Sequence, residues 1–291
     1  MRTTVTTALL IAALAALCAV PAGAAASYNR NGPYLDLGSQ APLMTAARFR
    51  LRGGVPEVHY QSGWYRNPTI VAQYGLQNHA YWTASPRRSV RRAMLRAAAW
   101  LVRHQGSGGG WRYGFAFPVS GMFETLPAGW LSSMAQGQAI SLLVRSWRLT
   151  HERRYLRAAR RALAPLRRPV SKGGVFRRLK GGWWYEEYPT RRASYTLNGF
   201  MFTLFGLYDL APWSKTSKRL YVRGRRTLIK ALPLFDRASG PSIYHLGYRY
   251  GYPVHISAKY NTIHVVELQA LNWIGPNPTL RHYRDRWARA E

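Results

Sequence analysis

Apolar positions along the chain fall into distinct textures. Residues 8–20 form an unbroken apolar run. Residues 27–87 scatter their apolar side chains among Gly, Pro, Asn and Tyr, with turn signals at Asn31-Gly32-Pro33, Gly53-Gly54 and Asn67-Pro68; this predicts loops and one β-hairpin. From Arg88 the spacing becomes helical, with Val90, Met94, Leu95, Ala98, Leu101 and Val102 on one stripe up to the glycine-rich run at 106–110.

A weak internal repeat organises the remainder. Met134–Leu149, Tyr195–Leu210 and Thr262–Ile274 are strongly apolar, the second on nearly every face, and each is followed by a basic amphipathic stretch, namely Arg153–Leu166, Lys218–Leu232 and Thr279–Ala290. An apolar helix followed by an amphipathic one, repeated, predicts an inner and an outer layer. The expected fold is therefore mainly α, an α/α barrel or toroid over residues 88–291, with an N-terminal loop and hairpin extension over 27–87. The segments entering the inner helices are Glu124–Trp130, Trp183–Pro189 and Ala258–Asn261, and in such a barrel they meet at one rim. Helix N-termini turn free N–H groups and positive dipole ends toward that rim, which suits an anionic ligand.

Residues 1–26 read as a secretory signal peptide: Arg2 precedes the apolar run and Pro21-Ala22-Gly23-Ala24 follows it, with cleavage expected after Ala24 or Ala26. The run is shorter than the ~20 residues of a membrane span, so the mature chain is expected to be exported with no span. The single cysteine, Cys18, lies inside this segment. The mature chain thus has no thiol for a disulfide, a nucleophile or a thiolate metal site.

Charge changes the picture most. The formal net charge is +31, from 42 basic and 11 acidic residues, and six of the basic residues are lysines. A field of that size and an arginine fork that pairs with carboxylate, sulfate or phosphate point to a polyanionic partner. Export favours an acidic polysaccharide over nucleic acid. There is no G-x-S-x-G, no phosphate loop and no H-E-x-x-H motif. His255 and His264 stand nine residues apart with no nearby carboxylate ligand except Glu267, so hydrogen bonding in the core or groove is a better reading of both than zinc, and no metal or cofactor is expected. In Trp183-Trp184-Tyr185-Glu186-Glu187-Tyr188-Pro189, two of the scarce acids stand among aromatics, which offer flat faces to sugar rings while carboxylates order hydroxyls or move protons. Adjacent acids point apart, so one is expected at a site and the other in an ion pair.

These residues carry a resemblance. Pro127–Arg145, Trp184-Tyr185-Glu186-Glu187-Tyr188-Pro189, Leu197-Asn198-Gly199-Phe200-Met201 and Gly206–Leu210 resemble signature blocks of the D-glucuronyl C5-epimerases, C-terminal domain, with continuity from about Ala97 to Trp287. Ile70–Leu76 is similar to a segment nearer the family's N-terminus. The resemblance implies an isomerase that inverts C5 of glucuronate to iduronate within a heparosan-like polymer, without a cofactor, and a homodimer. It further implies catalytic roles for Glu187, Tyr188, Tyr260 and Tyr244, and substrate contacts for Trp184, Tyr185, Asn198, Gln136, Arg249 and Asn261. Two departures stand out. Tyr244 is followed by His245-Leu246-Gly247 where the family has Asp-Leu-Arg, leaving Arg249 as the replacement cation, and Tyr260 is followed by Asn261 where the family has histidine. A uronate polysaccharide lyase and a non-catalytic acidic-glycan-binding relative remain the alternatives at this level.

Overall fold

The apolar blocks are helices in the computed structural model, which describes residues 28–35, 47–119 and 122–290; the expected signal peptide lies outside them. The chain is mainly helical with two small sheets. Strands β1 (Phe49–Arg52), β2 (Val55–Tyr60) and β3 (Gly63–Tyr65) form an antiparallel meander, pairing Phe49 with Val58 and Val58 with Tyr65. The expected hairpin turns at Gly53 and Gly54, both at positive φ as a two-residue turn demands.

Helices α1 (Pro68–Ala84) and α2 (Arg88–His104) follow, then α3 (Ser133–Thr150), α4 (Arg153–Arg161), α5 (Leu163–Arg167), the hairpin β4 (Phe176–Leu179) and β5 (Gly182–Tyr185), α6 (Leu197–Leu210), α7 (Lys215–Ala231), α8 (Ala258–Ile274) and α9 (Pro278–Ala288). Helix α1 departs from the loop-and-hairpin expectation for 27–87. Asn67-Pro68 is a helix start rather than a turn: the Asn67 side chain accepts from the N–H groups of Thr69 and Ile70, and Pro68 occupies the first turn, where its missing N–H costs nothing. The helix is buried from Pro68 to Leu76, so it shows none of the amphipathic stripe by which α2 is visible in sequence.

Helices α1, α3, α6 and α8 pack on one another in that order, and α2, α4, α7 and α9 each lie on the partner that precedes them. The outer members bury one stripe; in α7 this is Ser217, Leu220, Gly224, Thr227, Leu228 and Ala231. The inner ones are buried more widely; in α6 only Tyr208 escapes, whereas α8 leaves Ala258 and Trp273 exposed at its two ends. Helices α3 and α6 cross nearly backbone to backbone, because a side chain on Gly206 would stand 2.7 Å from Gly137 Cα. The same pair is tied by the buried ion pair Arg145–Asp209 at 2.5 Å, on which the N-terminal segment is seated through Tyr28 Oη, 2.7 Å from Asp209, and through carbonyls of Asn29 and Gly32 that accept from Arg145. Among the described residues no helix is long and apolar enough to cross a membrane.

Candidate active site

The β4–β5 hairpin delivers the paired acids to the N-terminal ends of α3 and α6. Strand β5 ends at Tyr185, and the next residues are clamped to α3: Ser133 N–H donates to the Glu186 carbonyl at 3.0 Å and Ser133 Oγ to that of Tyr185 at 3.0 Å. From there the two side chains diverge. Glu186 accepts from Ser194 Oγ at 2.6 Å and from Tyr195 N–H at 2.9 Å, and pairs with Arg177 at 3.2 Å. Burial raises its pKa to about 7 against these stabilising partners. Tyr195 meets this acid with a left-handed backbone, φ 47°, a conformation costing a non-glycine residue ~1–2 kcal/mol and held by its surroundings.

Glu187 turns the other way and lies against the first turn of α6, where a side chain on Gly199 would come within 2.6 Å of its Cβ. It is buried, and no donor of ordinary geometry reaches Oε2. Burial, reinforced by the charge of Glu186 and opposed by the nearby Tyr188 hydroxyl, raises its pKa to about 8. Of the described acids, Glu187 and Glu267 are those that no arginine or backbone N–H engages. Glu267, on α8, has neither carboxylate oxygen partnered, and burial together with Glu187 pushes its pKa far up.

Three tyrosines complete the cluster. Tyr188 has its hydroxyl in electrostatic reach of Glu187, Tyr244 and Tyr260, and its ring 6.1–6.2 Å from those of Trp130 and Phe117. Tyr244 reaches the site because the strand-like segment before it binds its neighbours: Leu197 N–H donates to its carbonyl at 3.1 Å, and its own N–H to His255 O at 2.9 Å. Tyr244 and Tyr260 stack with centroids 4.0 Å apart. Desolvation and the surrounding negative groups hold Tyr188 and Tyr244 well above the ordinary tyrosine range, and Tyr244 Oη lacks a hydrogen bond of ordinary geometry. Glu187, Tyr188, Tyr244 and Tyr260, separated widely in sequence, are thus brought together at the N-terminal ends of α6 and α8. Neither helix has a side-chain cap there, although the first N–H of α6 is taken by the Tyr244 carbonyl, and both turn positive dipole ends toward the cluster.

The other sequence-predicted residues go to different places. Trp184 stacks on Phe200 at 3.8 Å, and Tyr185 Oη donates to Leu220 O at 2.9 Å; both are core residues. Gln136 is fully engaged with backbone, donating to Gly109 O and Ala162 O and accepting from Trp111 N–H. Asn261 accepts from Ser242 N–H and Oγ and donates to Trp287 O at 2.8 Å, anchoring the segment before Tyr244 to α9. Asn198 is buried in the first turn of α6, its Oδ1 unpartnered. Arg249 is exposed, with its guanidinium over the Tyr248 ring at 6.0 Å.

A buried polar set faces the tyrosines; sequence reasoning gave His264 a hydrogen-bonding role but missed His245 and Glu267 as members of the set. His245 Nδ1 accepts from Gly247 N–H at 3.0 Å, so its proton sits on Nε2, which is buried and unpartnered; burial, then His255, lowers its pKa to about 3. His264 Nδ1 lies 2.9 Å from Ser242 Oγ, and burial lowers its pKa to about 3. Both imidazoles are neutral donors or acceptors, not cations. The one signal that could have marked Glu267 is an acid in the middle of an apolar inner helix. Among the described residues no group of three His, Cys, Asp or Glu is arranged to hold a metal ion.

Comparison with known proteins places this geometry in a family. The model of the D-glucuronyl C5-epimerase C-terminus matches residues 105–289. The D-glucuronyl C5-epimerase of Caenorhabditis elegans is 36% identical over 211 residues, covering 67% of this chain and 34% of the worm protein. An uncharacterized protein of Methanocaldococcus jannaschii is 27% identical over 184 residues, covering 61% of this chain and 56% of the archaeal one. The chain therefore matches only about a third to a half of the length of these relatives. The matched stretch contains both β4–β5 acids and all three site tyrosines, and on that ground the chain belongs to the D-glucuronyl C5-epimerase family, by its C-terminal domain.

Proposed function

We propose that this protein is an exported uronyl C5-epimerase that converts glucuronate to iduronate within an acidic polysaccharide. The observation that carries the reading is Glu187: a buried carboxyl with a pKa near 8, unpaired by any cation, beside three clustered tyrosines. Inversion at C5 needs removal of a weakly acidic proton next to a carboxylate and its return on the other ring face. Glu187 works on one face and Tyr260 on the other, with Tyr188 and Tyr244 holding the hydroxyl network between them. As the C5–H bond breaks, its electron pair enters the substrate carboxyl group, giving an enediolate; a proton added to the opposite face re-forms the C–H bond, so nothing is oxidised or reduced. In this reading the N-terminal ends of α6 and α8, which carry no side-chain cap, and the neutral His245 Nε2–H bear the second negative charge. A base with pKa near the working pH is the one that general acid–base catalysis favours.

The serial packing of inner and outer helices supports an α/α toroid as the scaffold, with the site at the N-terminal rim of its inner helices. Export rests on the N-terminal apolar run followed by small residues, and a homodimer on the family likeness. Incubation with glucuronate polymers in deuterated water is expected to place deuterium at C5 and to yield iduronate. Folded protein that incorporates none across a panel of such polymers would overturn the reading in favour of a glycan-binding relative, and an unsaturated product would identify a lyase.

A further inference from the structure

Between the β4–β5 hairpin and α7 lies a cavity of about 330 Å³ lined by Arg178, Lys180, Trp183, Arg223, Arg226 and Lys230, together with Gly181, Gly182 and Thr227, and by none of Glu187, Tyr188, Tyr244 and Tyr260. Five of these side chains are cations and none is an acid. All five are exposed, and among the described residues none takes part in an ion pair with a carboxylate. Concentrating five like charges around one depression costs self-repulsion, which a bound polyanion relieves.

The groove is built rather than incidental. Its floor is the contact of the hairpin with α7: Trp183 N–H donates to Thr227 Oγ1 at 2.8 Å, and any side chain on Gly182 would collide with Thr227. Trp183 is half-buried on Phe176 at 4.1 Å, and the Arg223 guanidinium stands over its ring at 5.1 Å, a cation–π contact that fixes the direction of the fork. At the rim, Lys180 and Gly181 form the two-residue turn with φ 50° and 74°. Such turns favour Asn or Gly at the first position; a lysine there accepts backbone strain and holds its charge over the groove.

We propose that this groove is a docking site for the anionic groups of an acidic polysaccharide, separate from the active site. Carboxylates and sulfates share the chemistry that five unpaired cations recognise, and the exposed arginine forks accept either bidentately. The proposal rests on the acidic-glycan reading of the substrate but not on epimerisation, so it is tested by binding and not by turnover. The triple variant Arg223→Ala, Arg226→Ala, Lys230→Ala changes exposed helix positions to the best helix former. A control with the same charge change, Arg92→Ala, Arg153→Ala, Arg157→Ala, alters exposed sites elsewhere.

Binding of the mature chain to an unsulfated glucuronate polymer, a sulfated one and a single-stranded DNA of matched length is then measured against salt. The groove variant is expected to lose about ten-fold in glycan affinity with a shallower salt slope, and the control less than two-fold. A loss confined to one glycan identifies its anionic group. Equal losses in the two variants would overturn the proposal, since affinity would then follow net charge alone. DNA bound as tightly as the glycans, and weakened as much, would also overturn it. A second variant, Lys180→Asn, replaces the tip residue by one the turn prefers; its melting temperature is expected to rise while glycan affinity falls two- to three-fold. A rise in stability with unchanged affinity would exclude Lys180 from the site.

Discussion

At the scale of single residues, Glu187 has two measurable properties that pull in opposite directions. Folded, it keeps its proton to about pH 8, against an ordinary value of 4.5. Between those limits the native state binds more protons than the unfolded one, so this residue makes stability fall as pH rises. Glu187→Gln is neutral at every pH. It is expected to be more stable than the parent by roughly 1–3 kcal/mol above about pH 8, and equal to it at low pH, by thermal or denaturant unfolding. The same change is expected to reduce deuterium exchange at C5 by at least ~100-fold. In the parent, exchange that begins with Glu187 as base is expected to rise about ten-fold per pH unit up to about pH 8, then level off. A flat profile over that range would remove Glu187 from the base role. Tyr260→Phe keeps the stacking on Tyr244 and removes only the hydroxyl; a loss of ~100-fold or more in exchange with polymer binding retained is expected. Unchanged exchange would leave Tyr260 a stacking residue.

At the scale of elements, the site depends on how closely α3 and α6 approach. Gly206→Ala inserts a methyl group between backbones, with Gly137 Cα 2.7 Å away, and no flexible side chain is there to give way. A loss of about 3 kcal/mol in unfolding free energy is expected, against the ~1 kcal/mol gain that alanine brings to an unpacked helix. Gly199→Ala acts more locally, since its methyl group would press on Glu187; it is expected to impair exchange more than stability.

These elements differ in how legible they were. The amphipathic outer helices announced themselves by period, and the inner ones by apolar blocks followed by a partner. Helix α1 did not, because burial on every side erases the period and because Asn67-Pro68 signals a turn and a helix start alike. At the site, the ion-pair role of one member of the Glu186–Glu187 pair followed from side-chain geometry and the surplus of arginine; which member took it depended on Arg177, Ser194 and Tyr195, none of which the local sequence singles out. Asn261 and Gln136 were assigned by likeness to substrate contacts, whereas the structure engages Gln136 with backbone and Asn261 with Ser242 and the Trp287 carbonyl. The hydrogen-bonding reading of His264 held, but the place of Glu267 beside the tyrosines was hidden, because a polar residue on an inner helix gives no indication of what it faces.

At the scale of the whole molecule, the scarcity of acids decides the electrostatics. Glu57 serves Arg50, Arg52 and Arg66, and Asp236 serves Arg286 and the Trp287 indole. With these few acids already engaged, most of the cationic surface has no internal counter-ion. Binding of any polyanion is therefore expected to raise the melting temperature, and to do so less as salt is added. An unchanged melting temperature at low salt and saturating glycan would contradict this account of the charge.

The β5 strand gives these scales a common measure. It carries Trp183 in the basic groove and ends at Tyr185, two residues before Glu187, so the Cα atoms of Trp183 and Glu187 are at most ~14 Å apart. Such a strand is a ruler. On the proposed readings of the groove and of Glu187, a polymer gripped at one end would have its neighbouring units presented at a set interval from the reacting carbon at the other, and could advance without letting go. Inverted residues along the product would then fall in runs with a regular phase rather than at random, and the length of those runs would report how long each chain is held.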